Sequence, residues 1–206
     1  MPLPKSFAWR VYPQETFEQR VLYDVPIHMN RYPALCEYIR SMLAGCRGWI
    51  YSGEMEKLCV VVLSEEGRTM DTLVIETKWN ATLQAHSSVL SSPAAEDQSL
   101  PLVQLEDAFR AAMVRLAATP VSLDVQSEGN GQKPNSFRIL AYTTEDVAKP
   151  RTSIDETSVG NSWVLADPFW YEEGESKQEG EKELVPVKSI QADDLPFQMQ
   201  LYLEKR

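Results

Sequence analysis

Two histidines, three cysteines and a few adjacent carboxylates are the residues of this chain with the chemistry for catalysis or metal binding. A metal-binding histidine needs a Cys, Asp or Glu at ligand spacing, and neither His28 nor His86 has one. His28 falls on an alternating stretch, where a surface or rim histidine is the ordinary case. Cys36, Cys46 and Cys59 are odd in number and two of them sit among apolar residues, the pattern of reduced intracellular thiols and not of a disulfide framework. Glu65-Glu66 and Asp193-Asp194 lie in turn-like contexts, poor places to hold two carboxylates across a substrate. No glycine-rich phosphate loop, Gly-x-Ser-x-Gly elbow or Cys-x-x-Cys occurs. The residues therefore point away from an enzyme and call for no metal or cofactor. Asn80-Ala81-Thr82 matches a glycosylation sequon, but no secretory signal accompanies it.

Recognition chemistry is better represented, above all near the carboxy terminus. Side chains alternate along a strand, so in the closing run Phe197, Met199, Leu201 and Leu203 face one way. Gln198, Gln200, Tyr202 and Glu204 then face the other, an outer surface that pairs amides with a rigid aromatic ring carrying a polar tip. Solvent or a protein partner could take such a face.

The elements that must position these residues are legible in part. Phe17 to Met29 reads as extended chain, with Val21, Tyr23, Val25 and Ile27 alternating against Leu22, Asp24 and His28. Pro33 opens a helix with Leu35, Tyr38, Ile39, Met42 and Leu43 at helical spacing, and Gly45 and Gly48 mark its end. Leu58 to Leu63 is apolar at every position, as in a central strand; Glu65 to Arg68 supplies a turn and Leu73-Val74-Ile75 the hairpin mate. Ala85 to Ser99 reads as a loop. A long helix follows, with Leu102, Leu105, Phe109, Ala112, Met113 and Leu116 in one stripe, and Pro120 closes it. Ser136 to Thr143 is a strand with Phe137, Ile139 and Ala141 on one side. Ser162 to Ala166, Leu184 to Val187 and Phe197 to Leu203 are further strands, and the charged run Tyr171 to Glu183 between them cannot pack by itself.

At 206 residues the chain fits one domain with long insertions. Its formal charge of -10 argues against gripping a nucleic-acid backbone, which needs clustered Lys and Arg. No apolar run approaches the length of a membrane span and no signal peptide is evident, so a soluble cytosolic or nuclear protein is expected.

Several segments together resemble the HORMA domain family. They are Arg10-Val11-Tyr12-Pro13, Phe17, Tyr23 to Ile27, Tyr38-Ile39, Glu56 to Leu63, Phe137 to Thr143, Trp163-Val164-Leu165-Ala166-Asp167, Leu184 to Lys188 and Met199 to Glu204. Within the family the chain is most similar to the mitotic-arrest-deficient-like accessory subunits of translesion DNA polymerase zeta. The resemblance implies an α+β fold: an antiparallel sheet backed by helices, with a carboxy-terminal safety belt that closes around a partner peptide. The core would span about 10–143 and the belt about 144–206, with insertions at 85–99 and 171–182. It also implies a non-catalytic adaptor. Tyr38, Trp163 and Leu165 would contact a proline-containing peptide of the polymerase zeta catalytic subunit, and Leu184, Gln200 and Tyr202 a Y-family deoxycytidyl transferase. Residence in the nucleus, with the cytoplasm as a second compartment, follows from the same resemblance. A spindle-checkpoint or meiotic-axis role for the same clamp is the competing expectation.

Three departures from the family pattern stand out, one of them the pair of enlarged loops at Ala85-Ser99 and Tyr171-Lys182. Only Met1 to Arg10 precede the Val-Tyr-Pro segment, where the family has a long amphipathic helix, so either the chain is an incomplete version or Phe7 and Trp9 cover part of the gap. Asp107 stands where the family carries an arginine used in pairing of two HORMA domains, which puts that mode of dimerisation in doubt.

Overall fold

The computed structural model describes residues 9, 11–79, 99–121, 135–144, 183–191 and 197–206. Along them run β1 (Phe17–Leu22), β2 (Val25–Asn30), α1 (Pro33–Ser52), β3 (Met55–Leu63), β4 (Thr69–Trp79), α2 (Ser99–Ala118), β5 (Ser136–Thr143), β6 (Glu183–Ile190) and β7 (Phe197–Lys205). Five strands make one antiparallel sheet in the order β5-β3-β4-β7-β6, and β1 pairs with β2 as a separate hairpin. The class is α+β, as the sequence implied.

Both helices lie on one face of the five-stranded sheet. Cross-strand partners share a face, and the ladder sets Leu58 beside Ile75 and Ala141, and Leu73 beside Leu203. Met42 and Cys46 of α1 pack against Met55, Leu58, Ile139 and Ala141. Ala112 and Leu116 of α2 pack against Val187, Leu201, Leu73 and Ile75. Met55 joins the helix side because a β-bulge between Met55 and Lys57 shifts the alternation by one residue. Truncating a core side chain such as Leu203 to alanine would cost about 2–5 kcal/mol.

The expected alternation of the last strand holds from Gln200 to Leu203: Leu201 and Leu203 are buried, Tyr202 is half-buried and Gln200 exposed, whereas Met199 is half-buried like Gln198 and the Phe197 side chain lies outside the described ones. The Leu58 to Leu63 strand is central, and its hairpin mate is β4. Phe137, Ile139 and Ala141 share the helix side of β5: Ile139 and Ala141 pack under α1 and Phe137 lies against Tyr38 of that helix.

Three local readings change. α1 continues past Gly45 and Gly48 to Ser52 and stops at Gly53, whose φ of 73° is the left-handed conformation that closes a helix cheaply only for glycine. Phe17 to Met29 is not one strand but a hairpin, with Tyr23 (φ 48°) and Asp24 (φ 57°) as its two-residue turn. Tertiary contacts hold these residues in a backbone region they adopt reluctantly: Tyr23 stacks on Phe109 at 5.9 Å, and Arg110 donates to the Tyr23 carbonyl at 2.8 Å and to Asp24 at 3.1 Å. Ser99, expected to end a loop, opens α2.

Trp9 does cover apolar area, packing with Val62, Met70 and Leu203. Phe7 lies outside the described residues, as do the insertions apart from Ser99. Asp107 accepts from Arg110 at 2.8 Å and so helps to orient the side chain that holds the hairpin turn.

Candidate functional site

Two surfaces of the sheet gather the residues singled out from the sequence. The first is the outer edge of β5. In the ladder β5 pairs with β3 alone, so among the described residues its other edge carries no strand. An open edge presents a row of backbone donors and acceptors that an extended peptide can complete.

Aromatic rings gather near the start of that strand. Tyr38, on the first turns of α1, meets Phe137 of β5 edge-on, with ring centroids 6.3 Å apart and an interplanar angle of 68°. Tyr12 approaches the same Phe137 ring at 6.4 Å. Burial, followed by the neighbouring phenols of Tyr32 and Tyr38, pushes the Tyr12 phenol above its ordinary value. Tyr38 keeps 47% of its surface exposed, enough ring to pack a proline or an apolar side chain. Trp163 and Leu165, the other two residues assigned to peptide contact, lie outside the described residues. Sequence reasoning does not single out Tyr12 and Phe137 as contact residues. Their places in the Val-Tyr-Pro segment and at the head of a strand are the available signals.

The second surface is the sheet face opposite the helices, at its β6–β7 side. The register sets Leu184 beside Glu204, Pro186 beside Tyr202, and Tyr202 beside Val74. Gln200 stands between Glu76 and Ser189. Leu184, Gln200 and Tyr202 thus come together on one face across two adjacent strands. Leu184 is 61% exposed, an apolar side chain offered to solvent. Tyr202 donates its hydroxyl to Oε1 of Glu76 at 2.7 Å. Its phenol is held well above its ordinary value, first by burial, then by that hydrogen bond and by the carboxylates of Glu76 and Glu204. Glu76 is not visible from sequence, because its partner lies 126 positions away.

Neither surface brings His28 into a cluster, and among the described residues no group of three His, Cys, Asp or Glu is placed to hold a metal ion. No described helix is long and apolar enough to cross a membrane.

A five-stranded antiparallel sheet with helices on one face and a carboxy-terminal strand pair added beyond the β3–β4 hairpin is the HORMA fold. A chain in the crystal structure of a mitotic checkpoint complex superposes with a TM-score of 0.65 at 15% identity, covering 99% of this chain and 91% of that one. Caenorhabditis elegans HTP-2 bound to the HIM-3 closure motif superposes at 0.57 and 10% identity, covering 98% and 84%. In sequence the chain is similar to the rat mitotic spindle assembly checkpoint protein MAD2B, 27% identical over 200 residues that cover 97% of this chain and 83% of the relative. No family profile matches the sequence.

Proposed function

We propose that this chain is a non-catalytic HORMA adaptor that clamps a peptide on the open edge of β5 and docks a second protein on the Leu184/Gln200/Tyr202 face. One observation carries this reading: β7 already pairs onto β4 and β6 onto β7, while among the described residues the opposite edge of the sheet ends at β5 beside exposed Tyr38. An incoming strand would gain backbone hydrogen bonds from β5 and ring contacts from Tyr38, with Trp163 and Leu165 of the belt closing over it. HTP-2, whose structure has a closure motif bound, supports peptide capture as a property of this fold.

The sequence resemblance supports a narrower assignment. The peptide belongs to the catalytic subunit of DNA polymerase zeta, the docked protein is a Y-family deoxycytidyl transferase, and the adaptor links insertion to extension in translesion synthesis and DNA damage repair in the nucleus. The test is anisotropy of a labelled proline-containing peptide from the catalytic subunit, with this chain and with Trp163→Ala. Tight binding lost in the variant supports the clamp; equal binding by both sinks the belt assignment. Intact contact between Tyr202→Ala and the transferase would sink the second surface.

The rat relative is by name a spindle assembly checkpoint protein, which favours a second reading in which the same clamp takes a checkpoint peptide. Competition between the two peptides on one preparation separates the readings.

A further inference from the structure

On the face opposite the helices, the ladder places Lys57 of β3 directly across from Glu76 of β4. Opposite charges so placed ordinarily pair. Here they turn apart, and no ion pair joins them among the described residues. The Lys57 ammonium lies over the Tyr142 ring at 4.5 Å on the β5 side, and Glu76 reaches to the Tyr202 hydroxyl on the β7 side.

The acidic groups of this face gather around Tyr202. Lys57 and Arg138 lie on its β3–β5 half; on its β4–β7 half Glu76 and Glu204 flank Tyr202, and the one described cation there, Lys78, stands beyond Glu76 across from Gln198. Tyr202 gives its single hydroxyl proton to Glu76, so what the phenol and the two carboxylates offer outward is acceptors. Gln200 adds an amide with both donor and acceptor. Beside them Leu184 and Pro186 form an exposed apolar shelf. A partner that fits supplies an apolar side chain for the shelf and a cation for the acceptors.

We propose that Glu76 is a positioning and specificity residue of this surface, fixing the Tyr202 ring and, with Glu204, selecting a partner segment that carries Lys or Arg next to an apolar anchor. That role rests on reading the face as a docking surface, and the two are separable by experiment. Binding of the purified Y-family deoxycytidyl transferase is measured at low and high salt for the full chain and for Glu76→Gln, Glu76→Ala and Leu184→Ala, with thermal melts alongside. Glu76→Gln keeps an acceptor for Tyr202 and removes the charge. It is expected to weaken binding roughly two- to five-fold at low salt and to flatten the salt dependence at unchanged melting temperature. Glu76→Ala, which also frees the ring, is expected to weaken binding further, and Leu184→Ala by about tenfold or more. Loss in Leu184→Ala with wild-type affinity and salt slope in both Glu76 variants overturns the role of Glu76 and leaves the docking face standing. Loss in Glu76→Ala alone, with a wild-type salt slope in Glu76→Gln, overturns charge selection. Wild-type binding by all three variants overturns the docking face itself.

Discussion

The indole nitrogen of Trp9 donates a 2.6 Å hydrogen bond to Oδ2 of Asp71, a carboxylate with no solvent exposure. The same residue accepts from Asn135 through its carbonyl, also at 2.6 Å. Trp9 therefore does two things at once: it fills apolar space against Val62, Met70 and Leu203, and it satisfies part of a buried charge in β4. Trp9→Phe keeps most of the apolar volume and removes the donor. Urea unfolding should show a loss of about 1–3 kcal/mol, and an unchanged midpoint would mean that the indole proton is dispensable to Asp71.

Arg110 ties α2 to the tip of the β1–β2 hairpin through the Tyr23 carbonyl and the Asp24 carboxylate. The groups are exposed, so Arg110→Ala should cost about 1 kcal/mol or less overall. The loss should be local. Hydrogen exchange is expected to quicken across β1 and β2 while the β3–β4 amides keep their protection. Equal acceleration in both places would contradict a latch confined to the hairpin.

Burial pushes the thiols of Cys46 and Cys59 from 9.0 up to about 11; Lys57 pulls Cys59 part of the way back, against the carboxylates of Glu204 and Glu76. The folded chain then holds these protons more tightly than the unfolded chain does. Their contribution is fully present below pH 9 and is lost as pH rises from 9 to about 11. Each thiol can remove up to about 1.4 kcal/mol per pH unit in that window. Urea midpoints taken from about pH 8 to about pH 11 should fall accordingly, and Cys59→Ala should flatten the fall.

Tyr38→Ala separates binding from folding at the β5 edge. Nearly half of the residue is exposed, so the melting temperature should move little. Affinity for the clamped peptide should drop by about tenfold, the cost of losing one aromatic anchor. A large drop in melting temperature without a change in affinity would assign Tyr38 to the core instead.

How much of this is legible in the sequence depends on how local the cause is. The continuous apolar run of β3 and the alternation of β7 from Gln200 to Leu203 announce themselves, because period and burial coincide there. α1 runs longer than its glycines suggest, glycine being a poor helix former. Yet a Cβ at Gly48 would meet nothing within 4 Å, and it is Gly53 that carries the left-handed backbone. The hairpin turn escapes sequence reasoning because Tyr-Asp is not the residue pair that such a turn favours; Phe109 and Arg110, far along the chain, make it possible. Leu184, Gln200 and Tyr202 can be named from sequence and do share a face, but Glu76 cannot, because only the β4–β7 pairing brings it to Tyr202.

That pairing has a kinetic consequence. β7 follows all the other described strands in the sequence, yet it lies inside the sheet between β4 and β6. Its partner strand was made more than a hundred residues earlier, so the ladder is among the least local in the molecule. Non-local ladders form late, since the entropy of closing the intervening chain is lost before any contact rewards it. During synthesis the β3–β4 hairpin must therefore wait with one flank open, a template for any passing strand until its own arrives.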